Sequence, residues 1–113
     1  MDRIHYSGES VLTGTTIAQA LLEYGRALAK QSDSAVIDIP IRRVDGSIGR
    51  AEFLIGPASQ LVSEKEPDDD QDELEDDAVV DDLRLRTAQL EPSRPVTGAT
   101  GAVPVAELDF DEL

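Results

Sequence analysis

"AVIDIPIRRVDGSIGRAEFLI", residues 35–55, reads as a β-hairpin, and the way it pairs decides what the rest of the chain must cover. Ala35, Ile37, Ile39 and Ile41 fall on one face of a strand over 35–44, with Asp38, Pro40 and Arg42 on the other. Residues 48–55 alternate in the same way, with Ala51, Phe53 and Ile55 against Arg50 and Glu52. "DGS" between them is turn chemistry. A two-residue Asp45-Gly46 turn pairs Val44 with Ser47 and sets Ile41 beside Arg50. Pairing Val44 with Ile48 instead opposes Ile41 to Ala51, Ile39 to Phe53 and Ile37 to Ile55. Directly opposed residues share a face, so a loop of three or more residues, or a bulge, is expected. That register also sets Arg42 opposite Arg50. Pro40 has no amide hydrogen to donate, which points to an edge strand.

Upstream, "TTIAQALLEYGRALAKQ", residues 15–31, predicts a helix. Ile17, Ala20, Leu21, Tyr24 and Leu28 make one apolar stripe, widened by Ala18, Leu22 and Ala29. Thr13 or Thr15 suits the N-cap, and Lys30 lies in the last turn, where the helix dipole favours a cation. Gly25 is a mild defect that marks close packing against the sheet. "RIHYS", residues 3–7, reads as a short strand, and "GESVLTG" after it as a connecting loop. "GPASQLVSE", residues 56–64, reads as a turn or short helix, with Pro57 at its first position.

The expected fold is α+β. A small βαββ domain spans 1–65, with one long helix on a three-stranded sheet, a right-handed parallel crossover and an added short helix. An acidic, largely disordered arm follows over 66–113, carrying a helix or strand at 74–90. A domain of about 65 residues has a marginal core. Self-association through a sheet edge is the first expectation for completing it, and a docked tail segment the second.

Charge divides the chain. The net charge is −14; residues 1–65 contribute −1 and residues 66–113 contribute −13. "EPDDDQDELEDDAVVDD", residues 66–82, holds eleven of the acids. Such a segment is repelled by nucleic acid and anionic membranes and attracted to basic protein surfaces. Residues 92–106 are rich in proline and glycine, a linker composition. "ELDFDEL" at the end sets Leu108, Phe110 and Leu113 among carboxylates, as in a docking motif. With Val79, Val80 and Leu83 they are the candidate partner-binding residues of the arm.

Specific chemistries fit poorly. There is no cysteine, hence no disulfide, thiol nucleophile or zinc-thiolate site. A calcium loop starting at Asp68 matches at Asp70 and Asp72, but Glu73 stands where glycine is required and Val79 where glutamate is. His5 is the single histidine; Ser7, Ser10 and Glu9 are near in sequence, without a G-x-S-x-G motif. No catalytic, cofactor or metal site is expected. Arg3, His5, Arg42 and Arg50 should share the outer sheet face as an anion-binding cluster, with Arg43 near the hairpin end. Asp38 and Glu52 are placed to neutralise that face, and residues 66–82 are one anion that could occupy it.

The functional expectation is a non-enzymatic interaction or adaptor protein, cytoplasmic, whose acidic arm engages a basic protein partner. The arm itself binds neither nucleic acid nor membrane, and the chain forms a homodimer if the sheet edge pairs. The alternatives are a nucleic-acid-mimic regulator, inhibitor or antitoxin-like, and a structural or assembly component of a larger particle.

Overall fold

The structure is a computed structural model, and it describes residues 1–67 and 72–91. The order is β1 (Asp2–Tyr6), β2 (Glu9–Thr13), α1 (Thr15–Lys30), β3 (Ala35–Arg42), β4 (Ile48–Ile55), β5 (Leu61–Lys65) and α2 (Asp77–Leu90). The fold is α+β, as expected, but the sheet has five strands in the order β4-β3-β2-β1-β5. Every pairing is antiparallel, so the expected parallel crossover and three-stranded βαββ arrangement are not formed.

Two segments account for the difference. Residues 9–13, expected as loop, form β2. Ser7 (φ 51°) and Gly8 (φ 81°) make a two-residue turn with both φ positive, the geometry that matches strand twist, and Tyr6 closes the ladder on Glu9. Residues 61–65, of which 61–64 were expected within a turn or short helix, form β5. The turn is confined to Pro57 and Ala58, and the strand pairs along the whole of β1, from Tyr6–Leu61 to Asp2–Lys65.

The β3–β4 hairpin keeps its apolar face but slides by two residues. Ile37 opposes Phe53, Ile39 opposes Ala51 and Ile41 opposes Gly49. The three-residue loop is therefore Val44-Asp45-Gly46, closed by Arg43 N–H on Ser47 O at 2.8 Å. The reason is local. Gly46 takes the positive φ (89°) that such a loop needs at its last position, where the other register would put Ser47. The Ser47 hydroxyl and amide both donate to the Asp45 carboxylate, which holds its pKa below the usual aspartate value. The slide also separates Arg42, now opposite Ile48, from Arg50, now opposite Pro40.

Pro40 does not mark a sheet edge, because β3 lies between β4 and β2. Its carbonyl accepts from Thr13 Oγ1 at 2.8 Å, so its hydrogen-bonding edge faces β2. The missing donor is on that side, and β2 and β3 are joined at one pair, Leu12–Arg42. Beyond this weak junction the sheet curls. Tyr6 of β1 meets Phe53 of β4 edge-on, with ring centroids 5.5 Å apart, and its hydroxyl donates to Leu54 O, although two strands separate β1 from β4.

α1 closes the concave face with Ile17, Leu21, Tyr24 and Leu28. It ends in a reversed turn in which Ser32 takes the left-handed φ of 51° and Asp33 N–H reaches Leu28 O at 3.0 Å. Gly25 packs near Ile55 and Leu61 with room for a methyl group. Within the stretch expected as a largely disordered arm, α2 is folded. Leu74, Val80 and Leu83 join the same core cluster as α1 and the sheet. The two helices run in the same direction: Glu73 lies at the N-terminus of α1, and Gln31 after its C-terminus donates to Leu90 O.

Candidate interaction surface

The four residues expected as an anion-binding cluster lie on the outer sheet face, and each meets a group of the chain itself, although Arg42 Nε is buried without a partner among the described residues. Arg3 Nε donates to Glu66 at 3.2 Å and Nη1 to Ser10 at 3.3 Å. His5 Nε2 sits 3.0 Å from Glu64. Arg50 Nε donates to Asp38 at 2.8 Å, a diagonal pair across the hairpin. Arg42 spans two carbonyls, Gly46 O at 3.1 Å and Asp72 O at 3.0 Å. Arg43 lies flat over Gly49, where any side chain would collide with its guanidinium, and donates to Ile48 O. Glu66 and Asp72 belong to the acidic stretch, so that stretch does meet two of the arginines, once by a carboxylate and once by its backbone.

The same stretch caps both helices. Neither threonine caps α1: Thr13 is turned to Pro40, and Thr15 Oγ1 donates to Asp2 at 2.7 Å. The N-cap is Gly14, which has no side chain to use. Glu73 supplies the acceptor from 58 residues away, taking Thr15 N–H at 2.6 Å and the Met1 amine at 2.8 Å. The amine, and then the Thr15 amide, hold the Glu73 carboxyl below the ordinary glutamate range. A carboxylate at a helix N-terminus is favoured by both the free amides and the dipole. Gly14 is required here, because a Cβ would fall 1.7 Å from Leu74 O. Asp76 caps α2 through Val79 N–H at 3.2 Å.

The remaining acids of 72–82 point outward. Glu75, Asp77 and Asp81 are exposed, and Asp82 is exposed with Arg86 3.0 Å away. They project from a helix start fixed beneath by Val80 and Leu83, which are 5% and 2% exposed. Val80 and Leu83, expected as partner anchors, are thus anchors of the chain's own core, with Val79 partly buried beside them. Leu108, Phe110 and Leu113, the 92–106 linker and the calcium-loop positions Asp68 and Asp70 lie outside the described residues.

His5 borders an open groove of about 750 Å³ that also holds Ser7, Ser59, Leu54 and Val62. Ser59 Oγ accepts from Gly56 N–H at 2.9 Å, and the imidazole faces Glu64, so among the described residues no hydroxyl is joined to it as a nucleophile. Among the described residues no group of three or more His, Cys, Asp or Glu is placed to hold a metal ion. No described helix is long and apolar enough to cross a membrane. The trans-cap by Glu73 has one sequence signal: a glycine before the first helical threonine leaves the α1 amides without a local acceptor. No family model, curated protein or solved structure matches the chain.

Proposed function

We propose that this chain is a non-enzymatic protein-binding module whose acidic surface captures a basic protein partner. The observation that carries it is the unequal use of charge. Arg3 and Arg50 on the outer face are paired with Glu66 and Asp38, while Glu75, Asp77 and Asp81 stand exposed at and just before the start of a helix pinned by Val80 and Leu83. A rigid row of carboxylates holds its geometry against a basic partner, so less ordering entropy is lost on binding than with a free arm. Long-range attraction speeds the encounter and is screened by salt.

The test is capture from the native cell with the intact chain and with a Glu75→Gln/Asp77→Asn/Asp81→Asn variant. These exposed positions leave the capping bonds and core untouched and remove only the dipole contribution of Asp77 in the first turn of α2, so folding stability should stay within about 1 kcal/mol. The expected result is a basic partner whose retention falls about tenfold or more between low and high salt, and falls likewise with the variant. Equal capture by both forms at both salt concentrations would overturn the proposal. Displacement of the captured partner by duplex DNA would turn it towards nucleic-acid mimicry.

A further inference from the structure

We propose that β4 is a self-pairing edge, joining a second copy of this chain about a two-fold axis at Ala51. This does not depend on the acidic-surface reading. Among the described residues β4 ends the sheet, and its alternate residues aim their backbone groups in opposite directions. The Arg43–Ser47 bond and the register place the odd residues of β4 in bonds to β3. The even residues, Ile48, Arg50, Glu52 and Leu54, therefore turn theirs away from β3, where Ile48 O meets Arg43 and the groups of Arg50 and Glu52 have no partner among the described residues. Leu54 confirms the parity, since its outward carbonyl is the one met by the Tyr6 hydroxyl.

The same four residues present their side chains on the outer face, in the order apolar, positive, negative, apolar. An isologous pair requires a surface complementary to its own reversal, and this order is. With Ala51 on the axis, Arg50 opposes Glu52 of the other copy, and Ile48 opposes Leu54. The Arg50 and Glu52 amides and carbonyls exchange bonds, and the Tyr6 contact at Leu54 O ends the ladder.

Two features of the single chain point to this occupant. Glu52 lies directly opposite Asp38, a like-charge pair that costs stability, and among the described residues Arg50 bonds Asp38 and not Glu52. In the dimer the second copy's Arg50 comes beside Glu52. Ile48, Leu54 and the adjacent Val36 are 57%, 62% and 58% exposed, and the pairing aligns them in one apolar row across the join. β4 also lacks the proline or lysine that commonly guards an edge, whereas β5, the opposite edge, is shorter and ends in Glu64 and Lys65.

The test uses charge exchange in the intact chain, read by light scattering or sedimentation at about 150 mM salt, where repulsion between the acidic surfaces is screened. Arg50→Glu and Glu52→Arg each create two like-charge pairs across the axis, and each should weaken the dimer about tenfold or more. Mixing the two variants restores both pairs as opposites, so a heterodimer should form from chains that fail to pair alone. Independently, Ala51→Cys places two thiols in a non-bonded antiparallel pair about 4.5 Å apart between Cα atoms, within reach of a disulfide. The chain has no other cysteine. Rapid oxidation to a crosslinked dimer is expected. A monomer at every concentration without the crosslink would overturn the proposal, as would a dimer indifferent to both exchanges.

Discussion

Glu66, Glu73 and Asp76 belong to the same acidic stretch as Glu75, Asp77 and Asp81, yet the fold uses the two sets differently. Glu66, Glu73 and Asp76 each accept from a group of the chain itself: an arginine, the α1 N-terminus and the α2 N-terminus. Asp77 and Asp81 lie a turn apart on the exposed side of α2. The difference teaches that a run of negative charge is not one functional unit. Acids that reach a helix N-terminus or an arginine become part of the architecture, and Glu75 with those on the far side of the anchored helix remain for solvent or a partner.

Leu83→Ala should break the comparison most strongly. The side chain is 2% exposed in the core cluster, and its truncation should cost about 2–4 kcal/mol in denaturant unfolding. A loss near zero would mean that α2 does not belong to the cooperative core. Glu73→Gln should cost less, about 1 kcal/mol at neutral pH, because it removes the charge but leaves an amide oxygen for Thr15. The sign of its pH dependence follows from a carboxyl held below its ordinary value of 4.5. Its contribution is present above that value and is lost as pH falls through the lower folded pKa. Unfolding curves of the wild type and the variant should therefore converge in acid. A difference that stays constant down to low pH would remove Glu73 from its capping role.

The hairpin over 35–55 and the helix over 15–31 were legible because both carry their pattern locally. Alternation gave the buried face of β3 and β4, and the stripe from Ile17 to Leu28 gave the face of α1. The hairpin register was missed by two residues because apolar alternation is indifferent to such a slide. The demand of the loop for Gly46 at positive φ decided it. β2 was written in "YSGES", a two-residue hairpin turn of the Ser-Gly kind, but "ESVLT" alone carries too little apolar alternation to announce a strand. β5 was hidden by Gly56-Pro57, a helix-start signal that here makes only a turn. α2 was ambiguous for a physical reason: it buries only Val80 and Leu83, so its stability comes from α1 and not from its own periodicity. Of the site, the outer-face position of Arg3, His5, Arg42 and Arg50 was legible. Their partners Glu66, Glu64, Asp72 and Asp38 mostly depend on strand pairings distant in sequence.

Native-state hydrogen exchange on the intact chain tests the division most directly. If α2 is a clamped platform for its outward acids, the amides of residues 80–87 should be protected to nearly the same free energy as those of α1, and Thr15 N–H should exchange slowly with them. Exchange of α2 at the rate of a free peptide, with α1 still protected, would contradict the account and return the acidic stretch to an unanchored arm.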